Sequence, residues 1–300
     1  MKIVKGLSGL IAVIITLVAA YYIFFRPLPA VDREPARRED KGGAPPQVLF
    51  HTPAPKDGVP PEDRAISQKE TKVTIIIDDI GFNLLPVKEL LKIDAPIAFA
   101  VLPHCPYSAD AAEMIHGKRQ ELLLHLPMEA QDPNKNPGQG ALFRRMGEPE
   151  IRQQLEKDLN AVPYVAGVNN HMGSAFMEDE AKLNIVLQEL EERGFYFIDS
   201  RTTPASRAEA LAKKIGIRFA SRKLFMDNNR DQEIIFRNLL DNLGKNNIGS
   251  AVIIGHPYPG TVKALKEAVP LLKSRGIRII PPSAMAVIIG KGVTTPTSNE

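Results

Sequence analysis

The sequence predicts an α/β domain built from parallel strands and helices, preceded by one membrane-spanning helix. From Thr71 onward, short apolar runs alternate with longer segments of helical apolar spacing, a pattern typical of parallel α/β folds. Ionisable side chains directly follow several of these apolar runs. Near the N-terminus, residues 7–25 form an uncharged and mostly apolar run. These three observations divide the chain into an anchor, a linker and a domain.

Residues 7–25 are predicted to be a transmembrane anchor. As a helix this run would be about 28 Å long, close to the thickness of a bilayer's hydrocarbon core, about 30 Å. Residues 1–6 carry Lys2 and Lys5, and positive charge on this flank favours a cytoplasmic N-terminus. We therefore expect a single-pass protein of the inner (cytoplasmic) membrane, with its domain facing the periplasm or the cell exterior. A cleaved signal peptide is the alternative, because Val18-Ala19-Ala20 resembles a cleavage site.

Residues 26–70 are predicted to be a flexible linker. They contain nine prolines and many charges, but only one aromatic residue, Phe50. Such a segment cannot bury enough apolar surface to offset the entropy that ordering would cost. The domain is expected to span residues 71–290, and residues 291–300 are predicted to be a disordered tail.

The domain contains eight short apolar runs that are predicted to be strands. They are Val73–Ile77, Ile97–Leu102, Glu121–Leu126, Val165–Asn169, Phe195–Ile198, Ile217–Ala220, Ala251–Ile254 and Ile277–Ile280. Four amphipathic segments between them are predicted helices. These are Ile151–Leu159, Ala181–Arg193, Ile234–Leu243 and Val262–Leu272.

Five of the predicted strands end in side chains that can do chemistry. In parallel α/β folds the carboxyl ends of the strands lie at one edge, where active sites form. We therefore expect these strand ends to share one site. They are Asp78-Asp79, His125, Asn169-Asn170-His171, Asp199 and His256.

The same residues predict a metal site with acid–base groups beside it. The chain has a single cysteine, Cys105, so a metal must be held by histidine and carboxylate. Asp79, His125 and His171 supply such a set and leave positions open for water and substrate. Asp78 would then be the general base and His256 the general acid in hydrolysis of an acyl or amide bond.

The charge pattern argues against nucleic acid as a partner. The net charge is +3, from 38 basic and 35 acidic residues, and the two signs are interleaved along the chain. A nucleic-acid-binding domain would concentrate its basic residues on one face.

Several motifs resemble those of polysaccharide deacetylases. Ile-Ile-Asp-Asp-Ile-Gly at 76–81 resembles the Thr-Phe-Asp-Asp-Gly motif of that superfamily. The run from Thr71 to about Ile288 resembles more closely the divergent polysaccharide deacetylase family of bacterial envelopes. The matching stretches are His-Leu-Pro-Met-Glu at 125–129, Gly-Val-Asn-Asn-His-Met-Gly-Ser at 167–174, Asp-Ser-Arg-Thr at 199–202 and Ile-Gly-His-Pro at 254–257.

The resemblance implies a distorted (β/α) barrel of about seven strands and a divalent metal, with zinc expected. It also implies removal of acetyl groups from an envelope polysaccharide as the reaction. By matching motif positions, Asp78 would be the base, Asp79 and His125 metal ligands, and His256 the acid.

The sequence departs from the ordinary deacetylase pattern at several positions. Glu129 stands where those enzymes have a second metal-binding histidine, so Glu129 rivals His171 as a ligand. Arg201 is the candidate for the arginine that steadies the base, and Asn170 and Asp199 are further candidates for substrate contact or support. The chain has no tryptophan to form the aromatic wall near the acid. A catalytically inactive envelope protein that binds glycan or a protein partner is the alternative function, and hydrolysis of another amide or an ester is a third.

Overall fold

The computed structural model describes residues 70–244 and 250–290. The predicted anchor, most of the predicted linker and the predicted C-terminal tail lie outside these ranges. Within the described ranges, no helix combines the length and the apolar character that crossing a membrane requires.

Seven parallel strands form a closed barrel. Neighbouring strands pair in the order β1 to β7, and β1 pairs with both β2 and β7, which closes the ring. Two short strands lie off the ring, where β8 pairs with β1 and β9 pairs antiparallel with β6. The strands are β1 (Lys72–Ile80), β2 (Ala98–Val101), β3 (Leu122–Met128), β4 (Val165–Met172), β5 (Tyr196–Asp199), β6 (Arg218–Phe225), β7 (Ser250–Gly255), β8 (Arg278–Ile279) and β9 (Val287–Ile288).

Helices surround the barrel and follow most of its strands. They are α1 (Leu84–Leu90), α2 (Ser108–Gly117), α3 (Glu148–Ala161), α4 (Glu180–Glu192), α5 (Ala208–Ile215), α6 (Gln232–Gly244), α7 (Pro259–Ser274) and α8 (Pro282–Met285). Side-chain caps begin some of them, because the first backbone N–H groups of a helix need acceptors. Asn83 accepts from the backbone of Leu85 at α1, and Asp179 accepts from that of Lys182 at α4.

Side chains along each strand alternate between the helix layer and the barrel interior. In β1, Ile75 and Ile77 pack in the outer core, whereas Ile76 belongs to the inner cluster. Tyr196 fills much of the interior, and a Cβ on Gly167 would lie 2.3 Å from its ring. The alternation continues to the carboxyl ends of the strands, where the inward positions of β1, β3 and β4 are polar.

The predicted parallel α/β barrel is confirmed, and each predicted strand overlaps an observed one. The largest difference is in β6, which was predicted to end at Ala220 but continues to Phe225. The extension contains Ser221, Arg222 and Lys223, and these polar residues interrupt the apolar run from which the strand was predicted. Among the helices, α2 was not predicted because small side chains form part of its buried face, and α1 and α5 are short.

Candidate metal centre and active site

Three potential ligand atoms lie together at the carboxyl end of the barrel. Asp79 Oδ1 is 3.2 Å from His125 Nε2 and 3.0 Å from His171 Nδ1. The two ring nitrogens are 3.1 Å apart. Among the described residues, these three side chains form a group that can hold a metal ion.

Asp79 Oδ1 is buried and has no hydrogen-bond partner of acceptable geometry, although it faces two ring nitrogens. A buried carboxylate oxygen left in this state is costly unless a cation compensates it. The backbone of Asp79 also adopts a φ of 57°, a left-handed conformation that is unfavourable for a residue other than glycine. Burial by itself would raise the pKa of Asp79, but His125 and His171 hold this pKa well below its ordinary value.

The geometry fits one divalent cation. Ligand atoms at about 2.0–2.1 Å from one zinc ion, at tetrahedral angles, lie about 3.3 Å apart. The edges of the observed triangle, 3.0, 3.1 and 3.2 Å, are close to that value. Two imidazoles and one carboxylate suit several divalent metals, and zinc stays a prediction.

Asn169 links a metal ligand to the predicted base. Its Nδ2 donates to Asp78 Oδ1 at 2.8 Å, and its Oδ1 lies 2.9 Å from His125 Nδ1. An amide oxygen can only accept, so Nδ1 of His125 carries the hydrogen and Nε2 keeps its lone pair for a metal. The contact follows from the register, because His125 on β3 pairs with Asn169 on β4.

Asp78 lies behind the ligand triangle and is almost fully buried. Its Oδ2 is 3.6 Å from His125 Nε2. Burial raises the pKa of Asp78, with attraction to His125 opposing the rise and repulsion from Asp79 adding to it. A carboxylate with a raised pKa is a stronger base.

His256 approaches the triangle from β7. Its Nε2 is 4.0 Å from Asp79 Oδ2, and its Nδ1 is 3.0 Å from Asp227 Oδ1. The buried carboxylate of Asp227 also accepts from the backbone N–H of His256 and from the hydroxyl of Thr261. Burial lowers the pKa of His256, but Asp227, Asp79 and Asp78 together outweigh this and leave the pKa raised. This arrangement fixes the ring and points Nε2 toward the site.

Two aromatic rings flank His256 where the sequence offered no tryptophan. Phe225 stacks at a centroid distance of 5.8 Å, and Tyr258 lies at 5.5 Å. The guanidinium of Arg222 lies 3.7 Å above the Phe225 ring and donates to the backbone oxygen of Ser200. The acid therefore has an aromatic wall of different composition.

With the geometry established, comparison with known proteins identifies the family. The model of the divergent polysaccharide deacetylase family matches residues 75–286. The chain belongs to this family. The match covers the barrel except for the first three residues of β1, and it includes every residue of the candidate site.

Relatives of this divergent deacetylase family member include the uncharacterized protein YibQ of Escherichia coli K12. It is 35% identical over 202 residues, which cover 66% of this chain and 62% of YibQ, so the match spans less than two thirds of YibQ. An uncharacterized Haemophilus influenzae protein is 28% identical over 250 residues, covering 79% of this chain and 88% of that protein. The crystal structure of ATU2773 from Agrobacterium tumefaciens C58 has a TM-score of 0.68 at 21% identity. The superposition covers 72% of this chain and 89% of the ATU2773 chain, and the two proteins have the same fold.

Glu129 lies outside the ligand triangle of this family member. Its carboxylate accepts from the backbone N–H of Arg144 at 2.6 Å and forms an ion pair with the Arg144 side chain. Its backbone oxygen accepts from Ala175 and Phe176. Glu129 therefore organises the loop after β3, and His171 occupies the third ligand position.

The other predicted residues of the family motifs support the loops around the site. Asn170 points away from the interior, donates to Met172 O and accepts from the backbone of Ser200. Asp199 is buried and accepts from the backbone of Arg201 and from a nearby serine hydroxyl. Burial raises the pKa of Asp199. Arg201 has a half-exposed side chain that faces Glu209 at 3.9 Å, and the predicted base Asp78 is instead held by Asn169.

The sequence analysis placed Asn169 at the site without giving it a role, and it missed two further neighbours of the site, Asp227 and Arg222. Asn169 lies two residues before His171 and therefore faces the barrel interior with it, whereas Asn170 faces the opposite side. This alternation is the sequence signal that distinguishes Asn169 from Asn170. Asp227 and Arg222 were missed because β6 was predicted too short. With β6 extended to Phe225, Asp227 would have been recognised as another polar strand end.

Proposed function

We propose that this domain is a metal-dependent hydrolase that removes acetyl groups from an envelope polysaccharide. One observation carries the proposal, namely the different settings of the adjacent carboxylates Asp78 and Asp79. Asp79 presents an unpaired buried oxygen to two imidazoles, whereas Asp78 is buried behind them with a raised pKa. Environments that separate the pKa values of two neighbouring carboxylates favour different chemical roles for them.

Asp79, His125 and His171 would hold the cation. A divalent metal there supplies Lewis acidity, which polarises a carbonyl oxygen and makes water more acidic. Asn169 keeps the His125 ring in the tautomer that leaves Nε2 free. Burial of His125 limits access of bulk water to this side of the site.

Asp78 would take the proton of the attacking water. Asn169 occupies its Oδ1, so Oδ2 is the oxygen left to accept the proton.

His256 would donate a proton to the departing amine or alcohol. Nδ1–H and the backbone N–H of His256 donate to Asp227, so His256 acts as the acid in its imidazolium form, in which Nε2–H is the proton that is transferred. Asp227 favours this form because it raises the pKa of His256. Phe225 and Tyr258 pack near the ring and limit its exposure. Acid and base therefore approach the ligand triangle from different strands, as the cleavage of an acyl bond requires.

The proposal places the domain outside the cytoplasm, tethered by residues 26–70 to an anchor at residues 7–25. The uncharged N-terminal run and the proline-rich segment after it support this location. A carbohydrate of the cell envelope is then the accessible substrate.

The test compares wild-type protein with Asp78→Asn, both loaded with zinc and supplied with acetylated glycan oligomers. We expect Asp78→Asn to lose about 10²–10⁴-fold in the rate of acetate release and to keep its metal. Asp94→Asn is the control, because Asp94 is exposed and paired with Lys273. Equal rates for Asp78→Asn and wild type would refute the mechanism. Absence of turnover in zinc-loaded wild type, with glycan binding retained, would favour the non-catalytic alternative.

A further inference from the structure

The aromatic wall beside His256 continues outward and ends at an arginine. Tyr258 lies next to His256, and the guanidinium of Arg230 lies 4.1 Å from the centre of the Tyr258 ring. Together with Phe225 and Arg222 these side chains form a row, which we call the Arg–aromatic row. It runs from the interior of the site to its outer rim.

Arg230 carries a positive charge that no carboxylate neutralises within residues 70–244 and 250–290. The side chain donates one bond, from its Nη2 to the hydroxyl of Tyr258 at 3.2 Å. A guanidinium has five N–H donors, and the residue is exposed. Most of the donors of Arg230 are therefore available to a ligand, while its planar face is held against Tyr258.

Asp231, the acidic residue that follows Arg230 in the chain, accepts hydrogen bonds from the backbone. Its carboxylate accepts from the N–H groups of Glu233 and Ile234 at the start of α6. Since those bonds satisfy Asp231 and hold it at the helix end, it does not compete for the Arg230 side chain.

The loop that carries Arg230 is held in place by close packing. A Cβ on Gly260, in the first turn of α7, would lie 2.1 Å from the backbone oxygen of Arg230. Asn229 also accepts from the backbone of Asp231 at 2.9 Å. Arg230 is thus presented from a fixed backbone, which reduces the entropy lost when a ligand binds.

We propose that Arg230 and Tyr258 form a subsite for an anionic sugar unit, next to the unit whose acyl group is hydrolysed. Tyr258 holds the planar face of Arg230 in place, and Arg230 offers paired donors for a carboxylate or a phosphate of the sugar unit. The 5.5 Å between the His256 and Tyr258 rings places the subsite one sugar unit from the acid. The inference rests on the proposed function and adds to it an acidic glycan as the substrate class.

The test measures binding, which does not depend on turnover. The zinc-loaded full-length protein is titrated with three probes by calorimetry, namely chitotetraose, a hyaluronan tetrasaccharide and a 6-phosphorylated chitobiose. The first is neutral, and the other two place a carboxylate or a phosphate beside an N-acetyl sugar. Tighter binding of one anionic probe identifies which group the subsite accepts.

Arg230→Gln should weaken binding of the preferred anionic probe about ten- to hundredfold and change chitotetraose binding by less than about twofold. Arg237→Gln is the matched control, since Arg237 is an exposed arginine of α6 that pairs with Glu233. Equal binding of neutral and anionic probes, or equal losses in the two arginine variants, would overturn the subsite. Selective binding that depends on Arg230, without any acetate release, would instead reject the hydrolase and keep the subsite.

Discussion

Replacing Asn169 with alanine removes one amide that serves both the predicted base and a metal ligand. The fully buried side chain donates to Asp78 at 2.8 Å and lies 2.9 Å from His125 Nδ1. Loss of a partner that orients a ligating histidine typically lowers metal affinity about 10- to 100-fold. This corresponds to about 1.4–2.7 kcal/mol. The buried carboxylate of Asp78 also loses a donor, which costs about 1–3 kcal/mol of folding stability.

The assay is a competition titration of zinc against a chromogenic chelator, with urea unfolding of the metal-free protein measured in parallel. Asn170→Ala is the control, because Asn170 is almost equally buried but bonds to Met172 O and the Ser200 backbone. Both variants should lose stability, and Asn169→Ala alone should lose zinc affinity. Unchanged zinc affinity in Asn169→Ala, or an equal loss in Asn170→Ala, would refute the bridging role.

Three further outcomes are expected. Asp227→Asn should lower the rate of acetate release about 10²–10⁴-fold without changing zinc content, because the amide removes the charge that raises the pKa of His256 and leaves only one oxygen to accept from it; an unchanged rate would exclude His256 as the oriented acid. Burial raises the pKa of Asp158 from 3.8 to about 6, so the folded state binds this proton more tightly, and the stability this provides below pH 4 is lost between pH 4 and 6. The free energy of unfolding of Asp158→Asn should therefore rise relative to that of wild type by up to about 3 kcal/mol as the pH increases from about 4 to 6. Parallel plots of this free energy against pH, measured by urea unfolding, would contradict the prediction. Gly167→Ala should lower the free energy of unfolding by about 1–3 kcal/mol, since its Cβ would lie 2.3 Å from the Tyr196 ring; an unchanged urea midpoint would show that the barrel interior adapts.

The strand–helix alternation predicted a parallel α/β fold and with it the ligand triangle, whereas the barrel was predicted from the resemblance to the deacetylase family. Parallel strands place their carboxyl ends together, so Asp79, His125 and His171 could be grouped without any tertiary information. The choice between His171 and Glu129 needed the structure. It follows from β4 continuing to Met172, which keeps His171 on the inward face two residues after Asn169.

Other features of the site left little trace in the sequence. The end of β6, which Asp227 follows, was not predicted because the last residues of this strand include polar ones. A strand that lines a site need not be apolar. The Arg–aromatic row joins side chains from β6 and from the loops that follow β6 and β7, and the pairing of Arg230 with Tyr258 spans 28 positions. Local periodicity carries no information about such contacts.

The central claim is that Asp79, His125 and His171 jointly hold one cation, and metal stoichiometry tests it most directly. Full-length wild type and alanine variants at these three positions and at Glu129 are equilibrated with zinc, dialysed and analysed by mass spectrometry for bound metal. The account predicts one equivalent in wild type and in Glu129→Ala, and a loss of bound zinc in each of the other three variants. Retention of zinc by His171→Ala together with its loss from Glu129→Ala would contradict the account.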